Sequence, residues 1–216
     1  MLPEEKARVK IDKQLINAGW DIVSRDEYVP KSVSAVKEAL MQGNTESDIP
    51  YDIPNSWKWT RIGTTFYVEI GQSPDGSSVS KNGKGIEFNQ GKIFFGDKYI
   101  NDSKQRTSNP TKIAEANSVL LCVRAPVGKV NITQRIICIG RGLSAITPIS
   151  TVELDYMYYY MVTCEKAFAD QGTGSTFSVI NGEIIRNHLC PLPPLTEQKR
   201  IVDHLDKLLA VCDEMR

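Results

Sequence analysis

Residues 3–18, PEEKARVKIDKQLINA, place apolar side chains at Ala7, Ile11, Leu15 and Ile16, with acids in the first turn and Gly19 as a stop. This spacing predicts a helix. A shorter helical pattern runs from Ser34 to Met41 and stops at Gly43. GNTESDIPYDIPNS then gathers Gly, Asn, Ser, Asp and two prolines, a boundary signal. From Trp57 to Ile149 the pattern changes to short runs: TTFYVEI, GKIFFG, NSVLLCV, GKVNIT, IICIG and LSAITPI. Separated by Gly, Pro, Asn and Ser, these predict strands joined by turns. GQSPDGSSVSKNGKG, rich in Gly and Ser, reads either as a surface excursion or as a binding loop.

Helical spacing returns over residues 153–170, ELDYMYYYMVTCEKAFAD, at Leu154, Met157, Met161, Cys164 and Phe168. In that setting Tyr156, Tyr158, Tyr159 and Tyr160 read as packing residues rather than base-stacking ones. In LPPLTEQKRIVDHLDKLLAVCDEMR two prolines end a strand and Thr196 is the predicted N-cap. Ile201, Leu205, Leu208, Cys212 and Met215 then recur at steps of four, three, four and three, a heptad seam. Short isolated helices are marginal in water, so the seam asks for a partner helix, in an assembly or in a second copy as a homodimer. The expected fold class is α/β (α+β): a mixed-sheet domain, a coiled-coil-type helix after it and a short helical segment before it.

With 216 residues and 41% hydrophobic side chains, the chain can bury a core. No apolar run approaches the roughly 20 residues needed to span a bilayer, and MLPEEKARVK lacks a signal-peptide h-region, so a cytoplasmic protein without membrane contact is expected. Cys122, Cys138, Cys164, Cys190 and Cys212 stand far apart with only two histidines, which predicts reduced, mostly buried thiols and no metal site.

The net charge of zero conceals a gradient. Residues 1–48 hold 7 basic and 9 acidic side chains, whereas residues 81–141 hold 11 basic against 4 acidic. An excess of that size is the footprint of a phosphate-binding face, or else a solvated basic surface. Its densest part, RAPVGKVNITQRIICIGRGLSAI, carries Arg124, Lys129, Arg135 and Arg141 and no acid. The counter-charge must come from elsewhere in the fold or from outside it.

Catalytic motifs are missing. Ser108-Asn109-Pro110-Thr111 lacks the second proline and the aromatic of an amino-methyltransferase clamp, and there is neither a phosphate-cradling Gly-x-x-x-x-Gly-Lys-Ser/Thr nor a His-Glu-x-x-His. A non-catalytic chain without a cofactor is expected.

IPNSWKWTRIG, GQSP, NGKGIEFNQGKIFFG, LLCVRAPVGKVNIT, CIGRGLSAI, GTGSTFSVINGEII and PLPPLTEQKRIV stand in one order along residues 53–216. In that order they resemble one half of the specificity subunit of a Type I restriction-modification system. The resemblance implies a DNA target recognition domain over 53–194 and the start of a spacer helix over 195–216. Its implied partners are double-stranded DNA and the methyltransferase and restriction subunits. Residues 1–48 resemble instead the N-terminus of the restriction (nuclease) subunit. Asp48 matches its first carboxylate, but the following strand with Glu-x-Lys is missing, so no metal is held there.

Within that frame Arg124, Lys129, Arg135, Arg141, Ser175 and Thr176 are the expected phosphate contacts, the last two with Ser178 at a helix N-terminus that they either present or merely cap. Gly140 and Gly142 beside Arg141 are expected to allow close backbone approach to DNA. The expected base readers are Asn82, Lys84, Asn89, Gln90, Asn101, Lys104, Gln105 and Arg106, whose side chains suit adenine and guanine edges. A competing reading is a truncated or regulatory remnant that docks on the methyltransferase through its terminal helix and reads no DNA.

Overall fold

The computed structural model describes residues 49–81, 83–172 and 179–214. The chain divides into two units, Met1–Pro50 and Tyr51–Arg216. The helices expected before residue 48, together with Asp48, lie outside the described residues.

Strand β1 (Lys58–Arg61) opens the second unit, and a helical turn, α1 (Ile62–Thr65), leads into β2 (Phe66–Ile70). Next come β3 (Val79–Lys81), β4 (Ile86–Asn89), β5 (Gln105–Thr107) and β6 (Ile113–Ala114). They are followed by β7 (Ser118–Cys122), β8 (Val130–Thr133), β9 (Ile137–Ile139) and β10 (Leu143–Pro148). Helices α2 (Leu154–Thr163), α3 (Glu165–Gln171) and α4 (Gly182–Asn187) precede β11 (Leu189–Leu192) and the terminal helix α5 (Leu195–Glu214).

The strands form a four-stranded antiparallel sheet, β2-β10-β7-β8, and a five-stranded mixed sheet, β3-β5-β4-β9-β6. β4 and β9 run parallel in the mixed sheet, so the expected α/β class with mixed sheets is the one found. β1 and β11 pair antiparallel, Lys58 opposite Leu192, which ties the two ends of the domain together.

The run SVLLC in β7 is apolar without alternation because both of its faces are buried. Val119 and Leu121 enter a core shared with Met157, Met161 and Phe168 of the helices. Leu120 and Cys122 enter a second core with Ile137, Ile139 and Leu143. The four-stranded sheet thus lies between the helices and the mixed sheet.

Two expected elements differ. GKIFFG forms a 3₁₀ turn, Lys92–Phe94, not a strand. Three successive apolar residues cannot all face one side of a strand, whereas the turn packs Phe94 and Phe95 on the second core and leaves Ile93 82% exposed. The helix expected over 153–170 breaks at Cys164, since the Thr163 hydroxyl and the Cys164 thiol both donate to the Tyr160 carbonyl. Such back-bonding competes with the helical ladder.

The four tyrosines of this region pack as expected. Their hydroxyls donate to the Pro191, Asp97 and Leu189 carbonyls (Tyr156, Tyr158, Tyr160) and to the Asp206 carboxylate (Tyr159). Four cysteines are free and buried, and Cys212 is free and exposed.

α5 begins at Leu195, which places Thr196 inside the first turn rather than at its cap. Gln198 fixes the helix to the domain: its Oε1 accepts from the Glu153 N–H at 2.8 Å and its Nε2 donates to the Pro193 carbonyl at 2.9 Å. Along the helix Val202 is buried, Ile201 and Leu205 are half-buried, and Leu208, Leu209, Val211 and Cys212 are exposed. The predicted seam therefore packs on its own domain at one end and stays open at the other. Met215 lies outside the described residues.

Candidate nucleic-acid interface

Of the eleven cations between residues 81 and 141, six find an acid within the fold. Lys98 pairs with Asp155, Lys104 and Arg106 with Asp102, Lys112 with Glu69, Lys129 with Glu165 and Arg135 with Glu87. Two of the hairpin cations expected to meet phosphate, Lys129 and Arg135, thus have an acid within the fold. Lys129 is bound to Glu165 at 2.9 Å on the exposed surface, where such a pair is weak.

The Arg135 pair is more than a surface contact. Its Nε donates to Glu87 Oε2 at 2.6 Å, its Nη2 to Oε1 at 2.9 Å, and its Nη1 to the Ile100 carbonyl at 3.1 Å. Glu87 also accepts from the Ser103 N–H and from Asn89 Nδ2. Burial works to raise the Glu87 pKa, but these bonds, led by Arg135, outweigh it and hold the carboxyl below the ordinary glutamate range. Arg135 is thereby a structural partner, its Nε–Nη2 edge committed to Glu87 and one N–H each on Nη1 and Nη2 left over.

Among the described residues no acid pairs with Lys81, Lys84, Lys92, Arg124 or Arg141, and three of these five converge. Lys92 on the 3₁₀ turn, Arg124 just beyond β7 and Arg141 in the β9–β10 turn line one cleft of about 190 Å³, with Gln90, Gly91, Cys122, Ala125, Pro126 and Gly142. No carboxylate lines it. Burial pushes the Cys122 thiol up to about 12 despite nearby Lys92, so the floor is neutral. Three cations around a neutral floor give the cleft a positive potential.

The glycines beside Arg141 serve the chain itself. A Cβ on Gly142 would stand 2.3 Å from the Gln90 carbonyl oxygen, and one on Gly140 would stand 3.1 Å from Gln90 Cα. They let the β9–β10 turn close onto Gln90, which is what puts Arg141 and Gln90 in one cleft. The loop after β2 is anchored too. Gly71 and Gln72 donate to Leu143 and Ile139, Asp75 accepts from the Ser77 N–H, and Ser73 Oγ accepts from the Arg141 N–H at 3.4 Å. GQSP is a support of the cleft.

The expected base readers divide sharply. Asn89 has no exposed surface and its Nδ2 is committed to Glu87, so it is withdrawn as a reader. Gln90 is exposed in the cleft, and Lys84 and Asn101 are exposed elsewhere. Gln105 is half-buried opposite Lys81. Lys104 and Arg106 share Asp102. Asn82, Ser175 and Thr176 lie outside the described residues. The helix these last two were expected to cap starts at Gly182, where Asn181 Oδ1 accepts from the Ile184 N–H. Lys92 and Ser73 were missed as site residues. The signal for Lys92 was its position two residues after Gln90 in the same glycine-flanked motif.

The mixed-sheet domain thus carries a cationic cleft that no carboxylate lines, and its terminal helix carries exposed apolar residues. The chain belongs to the family of the Type I restriction modification DNA specificity domain, whose profile it matches over residues 54–215. It is 38% identical over 157 residues to the type I restriction enzyme MjaX specificity subunit of Methanocaldococcus jannaschii, covering 71% of this chain and 37% of that protein. The HsdS subunit of Thermoanaerobacter tengcongensis superposes with a TM-score of 0.68 at 34% identity, covering 83% of this chain and 43% of that one. A chain from a structure concerned with complex assembly and conformational transition of the type I R-M system superposes with a TM-score of 0.71, also at 34% identity. It covers 86% of this chain and 46% of that one. The chain thus spans less than half the length of these relatives. Among the described residues no helix is long and apolar enough to cross a membrane.

Proposed function

We propose that this chain recognises double-stranded DNA as one half of a Type I specificity subunit, without catalysis of its own. In this reading residues 53–194 are the target recognition domain and α5 begins the spacer helix that docks methyltransferase and restriction subunits or a second copy. One observation carries it: Lys92, Arg124 and Arg141 line a single cleft that no carboxylate shares. Phosphate is the counter-charge that DNA supplies there, and such contacts position a protein on the duplex without reading sequence. Family membership and the names of the relatives support the same reading. The exposed Leu208, Leu209 and Val211 on α5 support the docking role.

The test is duplex binding by the 216-residue chain at two salt concentrations. Affinity that falls steeply with salt supports phosphate contacts, and retention of no duplex at low salt defeats the proposal.

A further inference from the structure

The fold contains two arginines paired with carboxylates near β4 and β5, and they differ in what they leave open. Arg135 spends its Nε and Nη2 edge on Glu87 and its Nη1 on Ile100. Arg106 is held from the other side. Its Nη1 donates to Asp102 Oδ1 at 2.9 Å and to the Gln105 carbonyl at 3.0 Å, and its Nη2 donates to Asp102 Oδ2 at 3.2 Å. Nε and the second N–H of Nη2 have no acceptor among the described residues, and the side chain keeps 25% of its surface exposed. That remaining edge presents two parallel donors, the pattern that matches O6 and N7 of guanine in the major groove.

The support beneath Arg106 is built with unusual care for a surface loop. Asp102 also accepts from the Lys104 N–H at 2.9 Å and from Lys104 Nζ at 3.2 Å. Lys104 is thereby kept at φ 58°, a left-handed conformation that a lysine rarely adopts. Ser103 is buried. Its N–H goes to Glu87, its hydroxyl bonds the Phe88 carbonyl, and the Gln105 N–H returns to that hydroxyl. Glu87, fixed by Arg135, thus anchors the loop that carries Asp102. Strained backbone persists only where its surroundings over-determine it, and such positions cluster at functional sites.

We infer that Arg106 is a specificity-determining residue that reads one guanine of the DNA target, and that Asp102 is the positioning residue that turns its open edge outward. This rests on the DNA-binding reading above and adds the base class to it. Asp102 does two things. It fixes the guanidinium plane, and it neutralises the charge, so that Arg106 is drawn to a base edge rather than to the nearest phosphate. Reading by Arg106 therefore carries little salt dependence, unlike binding through Arg124 and Arg141.

The experiment is selection of bound sequences from a randomised double-stranded DNA library by the full chain, alongside R106K and D102N. R106K keeps the charge and loses the planar fork. The parent is expected to enrich a motif containing a guanine position whose preference falls about tenfold or more in R106K, with other positions retained. In D102N the same position loses its preference, while affinity for unselected duplex is kept or rises because a cation has been released. A parent that retains no duplex sinks the DNA-binding reading and this inference with it. A parent that enriches a motif every position of which survives in a cooperatively folding R106K sinks the Arg106 assignment alone. Should D102N fail to fold cooperatively, R106K decides the question by itself.

Discussion

Glu87 and Arg135, 48 residues apart in sequence, meet in a two-point ion pair whose carboxylate side is 5% exposed and whose guanidinium side is 40% exposed. The pairing of β4 with β9 brings them together, and Ser103 and Asn89 complete the shell around the carboxylate. A cation that the hairpin leaves without a local partner thus finds one across the mixed sheet.

Replacing Arg135 by Gln should destabilise the domain by about 2 kcal/mol, short of the roughly 3–5 kcal/mol for a fully buried pair because Arg135 is part exposed. Thermal or urea unfolding measures it. The folded Glu87 pKa is depressed, so its contribution is present above the unfolded glutamate value of about 4.3 and is lost as pH falls through the folded value. The gap between parent and variant is therefore full near pH 7 and closes in acid.

Arg124→Ala and Arg141→Ala should each leave unfolding stability within about 0.5 kcal/mol, since neither side chain has a partner among the described residues. Each should weaken binding to every duplex alike and lower the slope of log affinity against log salt by about one unit. An unchanged slope in both variants, measured by titration at several salt concentrations, removes the cleft from the DNA face.

Leu208 and Leu205 differ although both belong to the heptad pattern. Leu208→Asp, on a 51% exposed side chain, should abolish association through α5 at little cost to the fold. Leu205→Asp buries a charge against the domain and should lower the melting temperature as well. Size-exclusion chromatography paired with thermal unfolding separates the two effects.

Asn89→Ala removes a donor from the Glu87 shell and should cost about 1–2 kcal/mol of stability. The selected DNA motif should be unchanged. A shift in base preference, read from the same library selection, would return Asn89 to the set of readers.

The sequence by itself determined the elements whose signals are local. The apolar run Val119–Cys122 of β7 and the spacing of Met157, Met161 and Phe168 can be read along the chain, because periodicity records which face is buried, and so can the motif order of the family. It also located the cationic excess. Which cations remain available was decided only by tertiary structure. Glu165 reaches Lys129 across 36 residues and Glu87 reaches Arg135 across 48, while Lys92, Arg124 and Arg141 come from three separate turns to one cleft. Charge is a property of a residue, but its neutralisation depends on strand order and register, and these join segments that no local pattern connects. The same holds for Asn89. Its amide suits an adenine edge, yet β4 points it inward to Glu87.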